Sequence, residues 1–155
     1  MKKLGFTQVT ALADGMRVEP WPGFSMEAVA PAMPYAHNAL GLIFEHGGAR
    51  AYLEPHVIHL ERARQRVGQV DLVIAPVRVV GVPFAMSAER ALEAAKVLKA
   101  PRWAPTGVDA HLAHGLFSAT LIFYRGLVND FRELVTKAGL TMEIVEPGAG
   151  DVIEL

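Results

Sequence analysis

Asp71-Leu72-Val73-Ile74-Ala75-Pro76 is a short apolar run with a charge before it and a proline closing it. Such a run, too short for a helix and rich in β-branched residues, reads as a strand buried on both faces. The next thirty residues decide the fold. Ser87 is placed to cap a helix, and Glu89 puts a negative charge in the first turn, where the helix dipole favours it. Ala88, Ala91, Leu92, Ala95 and Leu98 fall on one helical face, and Lys96 and Lys99 stand in the last turn before Pro101. Arg102-Trp103-Ala104 then returns as a strand. Strand, helix and strand in this order predict a βαβ unit with parallel strands.

Upstream of this unit the period is two. Phe6 to Leu12 and Met16 to Trp21 read as strands around the turn pair Asp14-Gly15. Phe24 to Ala30 alternates Phe24, Met26, Ala28 and Ala30 against Ser25 and Glu27, and Pro31 and Pro34 end it. Ala39 to Glu45 and Arg50 to Glu54 flank Gly47-Gly48, a pair suited to a primed hairpin turn. In the first of these two strands Leu40, Leu42 and Phe44 face one side and Ile43 the other, as expected of an interior strand. Downstream, a helix is expected from about Leu127 to Ala138, stopped by Gly139, with closing strands at Thr141 to Val145 and Val152 to Leu155. The expected class is α/β (α+β): a single domain over residues 1–155, with a mixed β-sheet and helices mainly on one face.

Composition narrows the function classes. Apolar residues make up 52% of the 155 residues and charged residues 20%, so little polar material is left to cover the outside. A well-filled core accounts for that, and so does an extra buried face at a subunit contact. Net charge is −1 with no basic stripe, which argues against nucleic acid as a partner. The chain has no cysteine, which excludes disulfides, thiolate metal sites and a cysteine nucleophile. Thr7, Gln8, Thr10 and Asp14 interrupt any secretory h-region after Met1-Lys2-Lys3, and Leu112 to Tyr124 is too short to span a bilayer. A cytoplasmic protein without a membrane partner is therefore expected.

Four features occur in order: Ala51-Tyr52-Leu53-Glu54-Pro55-His56, the strand Val70 to Pro76, the loop Gly81-Val82-Pro83-Phe84-Ala85-Met86-Ser87 leading into a helix, and a strand ending Ala104-Pro105. Together they resemble the C-terminal half of metallo-β-lactamase-fold hydrolases, in particular the branch related to ascorbate-phosphate lactonases. The resemblance implies half of an αββα sandwich, and a zinc or manganese centre between the two sheet ends that activates water. It also implies a ligand run, His-x-His-x-Asp-His, in an N-terminal half, and no such run occurs in this sequence. Of the later ligand positions, His37 stands near the first, His56 stands roughly where an aspartate belongs, and Pro105-Thr106-Gly107 offers no histidine at the third.

Other candidates come from the residues themselves. His56 and His59 are three apart, as are His111 and His114, with Glu61 and Asp109 as neighbours that could orient a ring. This is a metal or phosphate pattern in one reading and a pair of capping or surface histidines in the other. Glu54 is a general base or ligand, or else an acceptor for turn amides, and the second is preferred. Arg78 follows a buried strand, where α/β ligand sites gather, and is an anion contact or a plain ion pair. A serine-hydrolase site is excluded because Ser25, Ser87 and Ser118 lack a nucleophile elbow, and no phosphate loop is present.

The expected activity is that of a metal-dependent hydrolase layer, incomplete or inactive alone. The alternatives are a non-catalytic dimeric scaffold and a small-molecule or anion-binding module that uses the loop at Arg78 to Met86 with His56; Glu54, Asp109 and His111 are further ligand-binding candidates. The expected partner is a second copy of the chain or a complementary N-terminal half chain.

Overall fold

The computed structural model describes residues 5–32, 39–80, 85–106, 124–125 and 127–155. Its main sheet has seven strands: β1 (Arg17–Trp21), β2 (Phe24–Val29), β3 (Gly41–His46), β4 (Ala49–Leu53), β5 (Leu72–Pro76), β7 (Arg102–Thr106) and β9 (Glu143–Ile144), in that spatial order. Pairing is antiparallel from β1 to β4 and parallel from β4 through β5 and β7 to β9. A separate two-stranded ribbon joins β6 (Val79–Val80) to β8 (Tyr124–Arg125). Three helices complete the described elements: α1 (Leu60–Arg62), which continues as a π-helical turn over Ala63–Val67, α2 (Ala88–Leu98) and α3 (Val128–Lys137). The fold is α/β with a mixed sheet, as the strand-then-βαβ order predicts. Among the described residues, no helix is long and apolar enough to cross a membrane.

The hydrogen-bonded registers sort the side chains into two faces. Ile43 lies opposite Tyr52, Tyr52 opposite Val73, and Val73 opposite Trp103, forming a row across four strands. All four are almost fully buried, at 0–1% exposure. The helices pack on this row. Ala91, Ala94, Ala95 and Leu98 of α2, Phe131 and Val135 of α3, and Ala63 and Val67 of the π turn belong to the same core. The alanines of α2 matter because short side chains let a helix lie close to the sheet. Trp103 is the pivot of the core: its ring lies 5.2 Å from that of Phe131, and its indole N–H donates to the Ala75 carbonyl at 3.2 Å. Ser87 caps α2 by accepting the Arg90 amide, as its position in the sequence predicts.

The opposite face carries Phe24, Met26, Leu42, Phe44, Leu53 and Ile74, all only half-buried. A small cluster of Ala51, Leu72 and Ala104, packed by Ile74 and Ile153, lies at its parallel end. Trp21 stacks on Phe24 at 4.4 Å and remains 55% exposed, so this face keeps an apolar rim.

Several expectations fail for identifiable reasons. Phe6 to Leu12 is not a strand: β1 is the sheet's edge, and Phe6 and Val9 are exposed without a neighbouring strand to pair with. The hairpin turn is Pro22-Gly23, while Asp14-Gly15 forms an earlier turn whose Gly15 amide bonds to the Ala28 carbonyl. Val152 to Leu155 is irregular, and the strand expected at Thr141 to Val145 shrinks to β9. The helix at Leu60 to Val67 is an addition to the expected elements, although Leu60, Ala63 and Val67 carry helical spacing. It forms the crossover of a second parallel unit, between β4 and β5.

The polar side of that crossover is a latch. Arg66 donates to Asp14 at 2.6 Å, to Glu27 at 2.8 Å and to the Ala28 carbonyl at 3.0 Å, while Arg62 reaches the Ala30 carbonyl at 3.2 Å. Partial burial works to raise the Asp14 pKa, but the Ala30 amide and Arg66 outweigh it and hold the carboxyl below its ordinary value. This contribution is present above the ordinary aspartate pKa and fades as pH falls through the lowered one. Arg66→Ala should lower stability by about 1–2 kcal/mol in urea unfolding at neutral pH, with a smaller loss at high salt.

Candidate functional site

Parallel strands bring their C-terminal ends to one edge of the sheet, and Glu54, His56 and Arg78 stand at that edge. The amide of Glu54 donates to the Ile74 carbonyl at 2.9 Å, extending the β4–β5 ladder one residue beyond β4. Because side chains alternate along a strand, Glu54 shares the helix-covered face with Tyr52, two residues earlier. Its side chain is completely buried. Oε1 accepts the His56 backbone amide at 3.0 Å, and Oε2 accepts the Tyr52 hydroxyl at 3.3 Å. Glu54 is thus an acceptor for turn amides, the preferred sequence reading, and it is also a buried acid. Burial pushes its pKa up to about 7 despite the opposing hydrogen bonds from His56 and Tyr52. Tyr52 is pushed above its ordinary value by burial and by the neighbouring carboxylate.

Space for that carboxylate comes from a glycine. A Cβ on Gly41 would stand 2.7 Å from Glu54 Oε2 and 2.9 Å from the Leu53 carbonyl oxygen, closer than carbon atoms approach oxygen. Gly41 and Tyr52 are site residues that the sequence reading does not single out. The alternation of Tyr52 with Glu54 is a signal that could find one of them. The crowding at Gly41 depends on cross-strand register and leaves no mark in a single sequence.

His56 stands two residues after Glu54. Its backbone carbonyl accepts the Met86 amide at 3.2 Å, tying the turn to the segment before α2. Its imidazole is about one-third exposed, with Nδ1 3.6 Å from Glu54 Oε1. His59 does not share a helical face with it, because residues 55–59 are not helical. His59 instead caps α1, its Nδ1 accepting the Arg62 amide at 3.4 Å, and Glu61 accepts from Gln65. His59 is therefore a capping histidine and His56 is not, and Glu61 accepts from Gln65 instead of from either ring. Arg78 is buried at 6% exposure just beyond β5. His37, Asp109, His111 and His114 lie outside the described residues.

The fit to a metal is incomplete. Among the described residues, no group of three or more His, Cys, Asp or Glu side chains converges to hold an ion. Glu54 and His56 supply two candidate donors, β7 ends at Thr106, and a catalytic metal takes about three protein ligands. The described residues alone therefore support no metal-dependent step. A broad groove of about 710 Å³ lies at the opposite end of the sheet, around the Gly47-Gly48 hairpin. Among its charged side chains Glu45 pairs with Arg17 at 2.5 Å and with Arg50 at 3.0 Å, and Glu19 accepts the Gly23 amide.

The buried carboxyl has two measurable effects. A glutamate with a raised folded-state pKa stabilises the fold fully below its unfolded value near 4.5, and that contribution is lost as pH rises through about 7. The loss is on the order of 3 kcal/mol. Glu54→Gln should flatten the decline in unfolding free energy measured by urea titration between those two pH values. Gly41→Ala should cost about 1–3 kcal/mol in the same assay, by overpacking. Combining it with Glu54→Ala should restore part of that loss, the Leu53 carbonyl contact remaining.

No known family pattern matches the chain, and no curated protein matches it. Solved structures do. A metallo hydrolase from the hyperthermophilic archaeon Ignicoccus hospitalis is 20% identical with a TM-score of 0.66, the match covering 95% of this chain and 61% of the other. The metallo-β-lactamase fold protein YhfI from Bacillus subtilis is 13% identical with a TM-score of 0.67, covering 99% of this chain and 60% of the other. CmlA, a diiron β-hydroxylase from Streptomyces venezuelae, is 12% identical with a TM-score of 0.67, covering 94% of this chain and 34% of the other. At these identities the likeness establishes the fold. The chain spans about six-tenths of the length of the first two neighbours, and its architecture is part of the metallo-β-lactamase fold.

Proposed function

We propose that this chain is the C-terminal layer of a metal-dependent hydrolase, with its working edge at Glu54, His56 and Arg78. One observation carries the reading. Nearly the whole chain superposes on a metallo hydrolase, yet it accounts for only 61% of that protein's length. The remaining length in such a neighbour is enough for a second layer. The half-buried row Phe24, Met26, Leu42, Phe44, Leu53 and Ile74 is the face on which a second layer docks. In this reading that layer carries the His-x-His-x-Asp-His cluster, binds zinc or manganese with it, and comes from a complementary N-terminal half.

The same half-buried apolar row also favours a second reading, in which two copies of the chain pack face to face as a non-catalytic scaffold. The two readings separate in one set of measurements. The chain purified alone should retain well under one equivalent of zinc or manganese and should hydrolyse neither bis(4-nitrophenyl) phosphate nor a simple lactone after metal is added. The chain isolated with its co-purifying partner should hold metal and show turnover that a chelator abolishes. A full equivalent of metal with turnover by the chain alone overturns the need for a second layer. A homodimer by light scattering, with no metal in any isolated form, replaces the hydrolase with the scaffold.

A further inference from the structure

The Nδ1 atom of His56 is the buried nitrogen of a ring that is otherwise about one-third exposed, and it makes no hydrogen bond among the described residues. The atom it faces is Glu54 Oε1, at 3.6 Å. That distance is too long for a hydrogen bond, but a rotation moving the ring by roughly half an ångström closes it. Oε1 already accepts the backbone N–H of the same histidine at 3.0 Å, so it serves as an acceptor whether or not the carboxyl carries a proton on its other oxygen. Glu54 itself is held in place: it is completely buried, its far oxygen accepts from the Tyr52 hydroxyl, and it fills the space that Gly41 leaves open. A fixed acceptor facing one ring nitrogen selects the tautomer with hydrogen on that nitrogen.

We infer that Glu54 is a positioning residue for His56, holding its imidazole in the Nδ1–H tautomer and leaving Nε2 with a free electron pair at the sheet edge. The arrangement is the carboxylate–histidine pairing by which proteins orient an imidazole that must donate electrons on its far side. His56 then takes an electron-pair acceptor at Nε2, the proton of a water or hydroxyl being the simplest. Tyr52 and Gly41 gain a role in this account: one anchors the far oxygen of the carboxyl, and the other leaves it room. The inference rests on reading this edge as the working edge, but it concerns the ring alone and needs neither a second layer nor turnover.

Long-range ¹H–¹⁵N spectra of imidazole-labelled protein at about pH 8, where an ordinary histidine is neutral, read the tautomer directly. The wild-type chain should show His56 at least roughly tenfold in favour of Nδ1–H, the ratio expected of one charge-assisted hydrogen bond. Glu54→Gln keeps an acceptor oxygen and should retain the bias. Glu54→Leu removes it and should shift His56 towards the Nε2–H form. A wild-type ring found mainly as Nε2–H overturns the inference without any variant having to fold. An identical tautomer ratio in wild type and a folded Glu54→Leu chain overturns it as well. An inactive chain with the predicted spectrum removes the proposed hydrolase while leaving the positioning role intact.

Discussion

Parallel pairing is the constraint on which the rest of the architecture depends. A strand that joins its neighbour in parallel cannot return by a tight turn, so the chain must cross the sheet each time, usually as a helix. Here the crossovers are α1 with its π turn, then α2, and after β7 the path that includes α3. All three helices contribute to the core built on Ile43, Tyr52, Val73 and Trp103. That choice of face has two results. One side of the sheet is sealed by small residues of α2 and the ring of Phe131, while the other keeps a row of half-buried Phe, Met, Leu and Ile. The C-terminal ends of β4 and β5 are also brought to one edge, which is where the buried glutamate and its histidine lie.

The cost of that edge is concentrated in one residue. A carboxyl removed from water has a raised pKa because its charged form loses hydration, and two hydrogen bonds recover only part of it. Proteins rarely keep such a group for stability, since an apolar side chain of similar size would fill the space without the penalty. The surroundings here are arranged to keep it nonetheless. Tyr52 turns its hydroxyl inward, the His56 amide closes the turn onto it, and a glycine replaces any larger residue across the ladder. A buried acid with a raised pKa at a sheet edge is what the proposed functional role draws on, its burial being balanced by the rest of the core.

Much of this is legible in the residues, and what is not has physical causes. The βαβ unit is readable from Asp71 to Pro76, the Ser87 cap and Trp103, since each local preference agrees with the tertiary result. The Gly47-Gly48 hairpin is readable from turn chemistry. The α1 crossover is hidden because it lacks a Ser, Thr, Asp or Asn cap and its Arg-rich surface masks a three-residue apolar stripe. Phe6 to Leu12 misleads because its apolar composition imitates a strand, although a strand needs a neighbour as well as side chains. At the site, Glu54 and His56 are recognisable from their place at a strand end. The roles of Gly41 and Tyr52 depend on which residues register and alternation bring together, and the spacing of His56 with His59 suggests a shared helical face that the chain does not form.

The outer strand β1 carries a further consequence. Its register shifts between Val18 and Trp21, and Pro20 within it has no amide hydrogen to offer. Arg17 and Glu19 add charge along the same exposed edge. An edge that is irregular, charged and short of a donor is a poor template for another chain's strand. At the other end of the sheet β9 is two residues long, too short to seed an extended ladder. Both described edges of the main sheet are therefore poor templates for growth in its own plane. In the proposed reading, a partner that covers its apolar side stacks across it as a second layer, without the lateral polymerisation that exposed strands invite.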